Sequence, residues 1–186
     1  MVVKIAITGN IASGKSQVEN ILKNSGLPVY DSDSIAHDVL DNITDFYGYD
    51  VFTDGKIDRK KLGSLVFHNP VLRKKLEDIT HPKIKSIILE LFNKHNHDKY
   101  IFVSVPLLYE AGFEDLFDKV LFVSVDKDIQ LSRLMARNNF SEEEAKLRIS
   151  AQMPQKEKIK KADYVIENNS SKEALNIQIQ NIINTL

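Results

Sequence analysis

Eight residues near the start of the chain, Gly9-Asn10-Ile11-Ala12-Ser13-Gly14-Lys15-Ser16, follow the spacing Gly-x-x-x-x-Gly-Lys-Ser. They constrain the fold more than any other feature. The glycines let the backbone curl so that successive N–H groups converge, and a helix opening directly behind adds the positive end of its dipole. Such a loop works only between a strand that delivers it and a helix that it opens. Both flanks are present. Val2 to Ile7 is the apolar run of a buried strand, and Lys15 to Ser25 sets Val18, Ile21 and Leu22 on one side before Gly26 stops the pattern. The segment Gly9 to Gln17 therefore reads as a cradle for the phosphates of a nucleoside triphosphate. Lys15 is placed to reach the β- and γ-phosphates, and the Ser16 hydroxyl to hold Mg²⁺.

Downstream, short apolar runs alternate with helical patterns, which predicts β/α units and a parallel sheet, an α/β fold. The runs are Leu27-Pro28-Val29-Tyr30, Tyr100 to Val105, Lys119 to Val125 and Asp163 to Ile166. Ser34 to His97 is mostly helical, with breaks at Tyr47-Gly48, Asp54-Gly55 and Asn69-Pro70. That is too long for a simple crossover, so it reads as a helical insertion. The 186 residues then form one domain: a core of 1–33, 98–126 and 153–186, an insertion of 34–97, and a helix–loop–helix of 127–152. Capping-box spacing marks helix starts at Ser141-Glu142-Glu143-Glu144 and Ser170-Ser171-Lys172-Glu173, and Asp126 is placed to cap a helix from Lys127.

Asp31-Ser32-Asp33 follows the second strand, at the carboxyl edge where open α/β sheets bind ligands. Two carboxylates two apart in an extended segment face one site. One can take the proton of an acceptor hydroxyl while the other supports magnesium or the loop. N-capping by Asp33 is the competing use, and it accounts for one aspartate, not both. Arg133 and Arg137 are i,i+4 neighbours, and Arg148 follows the break at Asn138-Asn139-Phe140. Together they suggest a lid that closes over phosphates, although arginines on a solvated helix are also common.

The remaining chemistry is excluded by what is scarce. With no cysteine there is no disulfide and no thiolate metal site, and the five histidines have no metal spacing. His95 and His97 read as surface residues behind a helix, and His81-Pro82 as a helix start. A net charge of −1 gives no global field for nucleic acid or membrane. The N-terminal apolar run is too short for a signal peptide and no window approaches a membrane span, so the expected location is cytoplasmic.

Taken in order, the pieces resemble the dephospho-coenzyme A kinase family over nearly the whole chain. They are Ile7-Thr8-Gly9 with the loop, Gly26 to Ala36 around Asp31-Ser32-Asp33, Asp58-Arg59-Lys60-Lys61-Leu62 with Val66-Phe67, and His81-Pro82-Lys83-Ile84. Val105-Pro106-Leu107-Leu108-Tyr109-Glu110 follows, then Gln130-x-x-Arg133-x-x-x-Arg137, Glu144-Ala145-x-x-Arg148-Ile149-x-x-Gln152 and Ala162-Asp163-Tyr164-Val165-Ile166-x-Asn168. The resemblance implies a nucleotide-kinase-like fold with a five-stranded parallel sheet, an acceptor-binding helical insertion at 34–97 and a lid at 127–152. It also implies transfer of the ATP γ-phosphoryl group to the ribose 3′-hydroxyl of dephospho-CoA, the last step of coenzyme A synthesis. Asp33 is then the base, acting with Lys15 and a lid arginine, for which Arg137 is the choice. Asp31, Asp33, Arg59, His81, Pro82, Leu107, Leu108 and Glu110 would line the acceptor site. The expected partners are these two small molecules, with the chain a monomer or weak homo-oligomer.

The loop departs from the family's usual form: Asn10 and Ala12 stand where glycine is common, and Gln17 where threonine is. Elsewhere His37 replaces a common arginine, and Tyr47-Gly48 a Phe-Gly. Two other readings stay open. One is a kinase for another small acceptor, a nucleotide or shikimate. The other is a nucleotide-dependent switch, for which the only Asn-Lys, at Asn93-Lys94, lacks the aspartate that reads guanine.

Overall fold

In the computed structural model, residues 2–41, 43, 49–54, 56–67 and 69–186 are described, Phe67 by its backbone alone. In chain order the elements are β1 (Val3–Thr8), α1 (Lys15–Asn24), β2 (Val29–Asp31), α2 (Ser32–Leu40), β3 (Phe52–Thr53), β4 (Lys56–Ile57), α3 (Arg59–Phe67) and α4 (Pro70–Lys94). They continue with β5 (Tyr100–Ser104), β6 (Lys119–Ser124), α5 (Lys127–Asn138), α6 (Glu142–Ser150), α7 (Gln155–Lys161), β7 (Tyr164–Glu167) and α8 (Lys172–Thr185). The chain divides into two compact units, Met1–Asp31 with Phe92–Leu186, and Ser32–Leu91.

The first unit is built on the expected five-stranded parallel sheet, in the order β2-β5-β1-β6-β7. Central β1 pairs with β5 (Ile5 opposite Phe102) and with β6 (Ile7 opposite Leu121). Ile5-Ala6-Ile7, Ile101-Phe102-Val103 and Leu121-Phe122-Val123 are buried at consecutive positions, so both faces of these strands are covered. That is the signature of a parallel sheet between helices. On one face, Val18 and Leu22 of α1 and Leu175 and Ile179 of α8 join Ile5, Ile7, Phe102, Leu121, Val123 and Ile166 in one core. Each such side chain contributes about 1.5–3 kcal/mol by leaving water. Because the strands are parallel, the segments after β1, β5, β6 and β7 all leave from one edge. That edge carries the Gly9–Ser16 loop, the 105–113 turn, Asp126 and Asn168.

The second unit holds α2, a small antiparallel hairpin of β3 and β4, α3, and α4 as far as Leu91. The hairpin corrects the reading of Asp54-Gly55 as a plain helix break. Asp-Gly between two extended pairs is a hairpin signal, and Asp54 takes the left-handed φ of 51° that such a turn requires. The expected break at Tyr47-Gly48 lies outside the described residues, as does Gly55. At Asn69-Pro70 the break is a helix start: Asn69 Oδ1 accepts the N–H groups of Val71 and Leu72, both at 3.1 Å, and Pro70 takes the first position.

His81-Pro82 does not begin a helix; it lies in the middle of α4. Pro82 has no N–H to give the Asp78 carbonyl, a loss of about 3 kcal/mol in an average helix. Burial of Leu72, Ile84, Ile88 and Phe92 along the same helix outweighs it. The capping box at Ser141 forms as expected, with Glu144 and Ser141 bonded reciprocally. At the last helix the cap is Ser171, which accepts the Ala174 N–H at 3.3 Å. The box predicted from Ser170 and Glu173 is therefore one residue out of register. Asp126 occupies the N-cap position of α5, but its side chain makes no capping bond.

Candidate active site

Five carbonyls of the Gly9–Ser16 loop are held by donors of the surrounding protein or of the loop itself. Gly9 O accepts Lys15 Nζ at 3.2 Å, Ile11 O accepts Gln130 Nε2 at 2.8 Å, and Ser13 O accepts Asn168 Nδ2 at 2.8 Å. Asn10 O and Gly14 O take the N–H groups of Ser13 and Gln17 at 3.0 and 2.9 Å. A trans peptide points its N–H opposite to its C=O. Holding these carbonyls therefore turns the N–H groups of Ala12, Gly14 and Lys15 away from those partners, which is how an anion-binding nest is made.

Space, as well as conformation, demands the two glycines. A Cβ on Gly9 would lie 2.6 Å from both Ser13 Oγ and the Val123 carbonyl oxygen. One on Gly14, whose φ is +87°, would lie 2.1 Å from Asn168 Nδ2. Ala12 has φ +60°, a left-handed conformation that costs an L-residue about 1–2 kcal/mol and glycine nothing. Asn10 Oδ1, Ser13 Oγ and Arg133 NH1 are buried without a hydrogen-bond partner. Arg133 NH1 would sit 3.9 Å from a Cβ at Gly14, so it belongs to the loop's surroundings.

Helices α5 and α6 supply the other arginines. Asn139, at φ +54°, ends α5 in the left-handed conformation. Arg137 is exposed and its Nε donates to Asn138 Oδ1 at 2.8 Å. The Arg148 guanidinium lies 5.6 Å from the centre of the Phe140 ring, a cation–π distance. Of the three, Arg133 is beside the loop. Behind α6 the chain is pinned to the same edge: Ile11 N–H donates to Gln152 Oε1 at 2.7 Å, and Asn10 Nδ2 donates to the Met153 carbonyl at 3.0 Å.

The Asp31-Ser32-Asp33 segment is not extended throughout. Asp31 closes β2 opposite Ser104, and α2 begins at Ser32, so Asp33 falls in the first helical turn. Strand alternation stops with the pairing, and the argument that both carboxylates must face one way goes with it.

The remaining acceptor-side expectations divide between the two units. In the first, Leu107 is 47% exposed and Leu108 is fully buried. Glu110 accepts the Met153 N–H at 3.1 Å and lies 2.7 Å from the ammonium of fully buried Lys158. In the second, Arg59 NH2 meets both carboxylate oxygens of Asp41, at 3.1 and 3.2 Å. Burial pushes the His81 imidazole below its ordinary value against the pull of Glu77, with Lys85 and Lys74 acting the same way as burial. The ring is therefore neutral at neutral pH and can offer a hydrogen bond but no charge.

His97 is exposed as expected, and His95 is partly buried, its side chain 18% exposed. Its Nε2 lies 2.6 Å from the Tyr30 hydroxyl and its Nδ1 2.6 Å from Asp98. Gln130, Gln152 and Asn168 stood in the sequence pattern with no role attached. Each is a carboxamide that the structure places on a backbone group of the loop. Among the described residues no helix is long and apolar enough to cross a membrane.

A five-stranded parallel sheet in this order, whose central strand opens into a Gly-Lys-Ser loop and helix, defines a phosphate-loop kinase. The family model described as dephospho-CoA kinase matches residues 3–174. A dephospho-CoA kinase of Geobacillus kaustophilus is 44% identical over 193 aligned positions, covering 98% of this chain and 96% of that protein. Among solved structures, a Thermus thermophilus protein is 35% identical with a TM-score of 0.88, covering all of this chain and 98% of its own. The dephospho-CoA kinase of Campylobacter jejuni is 35% identical with a TM-score of 0.76, covering 99% and 96% of the two chains. The chain belongs to the dephospho-CoA kinase family.

Proposed function

We propose that the chain moves the γ-phosphoryl group of ATP to the ribose 3′-hydroxyl of dephospho-CoA, giving CoA and ADP. The observation that carries the donor half is the loop, with five carbonyls held and no room for a Cβ at Gly9 or Gly14. A triphosphate in that nest offers acceptor oxygens to two donors that are buried without a partner, Ser13 Oγ and Arg133 NH1. Buried polar atoms left unpaired cost roughly 1–3 kcal/mol each.

In the reaction the 3′-oxygen attacks the γ-phosphorus, the bond to the β–γ bridging oxygen breaks, and ADP leaves. The hydroxyl proton passes to Asp33. The transition state is loose, so little proton transfer is needed early, and a carboxylate is basic enough to orient the hydroxyl. Lys15 neutralises β- and γ-oxygens, Arg133 serves the nucleotide beside the loop, and Arg137 meets the transferring group as α5 and α6 close. Arg148 supports that lid through Phe140.

Mg²⁺ neutralises the β- and γ-phosphates when bound. Among the described residues no three His, Cys, Asp or Glu side chains are grouped to hold a metal. The Ser16 hydroxyl, with the triphosphate's own oxygens, suits an ion that arrives with its nucleotide. On the acceptor side, Asp31, Asp33, Arg59, His81, Pro82, Leu107 and Glu110 are the residues proposed from the family resemblance. Fully buried Leu108 would shape the turn that presents them. The units correspond in this reading to a nucleotide core with its lid at 127–152 and an acceptor-binding insertion, in a cytoplasmic enzyme.

Phosphorus NMR of the product tests the assignment. The expected spectrum gains one phosphomonoester coupled to the ribose 3′ proton for each ADP formed. A phosphate on another position, or ADP without a phosphorylated acceptor, would refute it.

A further inference from the structure

We infer that Gln130 and Gln152 are positioning residues of the phosphate loop, clamping the two backbone groups of Ile11 and so holding Ala12 in its left-handed conformation. The inference rests on the loop being the ATP site. Gln130 Nε2 donates to the Ile11 carbonyl at 2.8 Å, and Gln152 Oε1 accepts the Ile11 N–H at 2.7 Å. The polarity of both amides follows from the backbone, since a carbonyl only accepts and an N–H only donates. Gln130 is a polar side chain only 4% exposed, in the first turn or so of α5, and Gln152 follows directly on α6. The segments entering and leaving the helix pair thus return to one residue of the loop.

The Ile11 carbonyl belongs to the peptide plane whose rotation against the Ala12 Cα is φ of Ala12. Fixing that plane holds φ at +60°, a value an alanine leaves readily when released. The neighbouring bonds reinforce the clamp from the Gln152 side. Met153 offers its carbonyl to Asn10 Nδ2 and its N–H to Glu110, which is paired with buried Lys158. The side chain at position 10 is therefore used to tie the loop down, and the methyl at position 12 is what makes tying down necessary.

The test is the dissociation constant of ATP without acceptor, measured calorimetrically on the full chain. It can fail while the choice of acceptor stands, and the reverse. Gln130→Met and Gln152→Met keep side-chain volume and remove the bonds; each is expected to weaken ATP binding about tenfold, with acceptor KM within twofold of the parent. In an Ala12→Gly background, where the conformation needs no holding, the Gln130→Met loss is expected to shrink to threefold or less. Gln130→Glu and Gln152→Glu add the same charge beside the same residue, but only the second keeps an oxygen for the Ile11 N–H. Gln130→Glu is thus expected to bind ATP at least fivefold more weakly than Gln152→Glu. Should Gln130→Met not fold, Gln152→Met, outside any helix, is read against the same tenfold. Equal affinities for the two glutamate variants, or methionine variants that lower the melting temperature but leave ATP affinity within twofold, would overturn the inference.

Discussion

Asp33→Asn is expected to lower turnover by roughly three orders of magnitude while leaving ATP affinity within a factor of two or three. A positioned general base contributes about 10²–10⁴ in rate, and asparagine keeps the size and one oxygen while losing the capacity to take a proton. The position of Asp33, in the first turn of α2 rather than in an extended run, sharpens the expectation. There the substitution removes the charge without disturbing β2, whose pairing ends at Asp31. Steady-state kinetics at neutral pH, with ATP affinity measured separately, checks it. Near-normal turnover would remove Asp33 from the role of base and leave Asp31 as the carboxylate to examine.

Lys15→Met is expected to lower kcat/KM for ATP by about three orders of magnitude, and unlike Asp33→Asn it should weaken nucleotide binding as well. A unit charge 4 Å from a phosphate oxygen is worth about 4 kcal/mol at an effective dielectric constant of 20. That is close to three decades in rate. Methionine keeps the unbranched stem, so the loss is one of charge. The Lys15 ammonium also donates to the Gly9 carbonyl at 3.2 Å. That hydrogen bond has a charged donor and is worth about 1.5–3 kcal/mol, short of the roughly 4 kcal/mol of a thousandfold effect. Parallel measurement of kcat/KM and of ATP affinity separates the two. A loss of tenfold or less would mean that the charge lies outside the path of the transferring phosphate.

The parts legible in the sequence were those in which local chemistry and the fold agree. Gly9, Gly14, Lys15 and Ser16 stand at fixed spacing because the phosphate nest needs them there, and the apolar strands are unbroken because a parallel sheet is covered on both faces. The misread parts are those in which a distant partner decides. His95 is partly buried where Tyr30, sixty-five residues away, closes on it. Pro82, a helix-breaker by itself, sits inside α4 because the apolar residues along that helix are buried. Asp33 left the extended run because strand pairing ends two residues earlier. Nothing local distinguishes Gln130 and Gln152 from surface glutamines, since what they bind lies more than a hundred residues away.

Initial rates of ADP release, measured in a coupled assay with dephospho-CoA, AMP, dTMP and shikimate offered separately at equal concentration, test the central claim most directly. The expected result is ATP turnover with dephospho-CoA at least a hundredfold above the rate without acceptor, and no stimulation by the other three. Stimulation by one of those three and not by dephospho-CoA would contradict it.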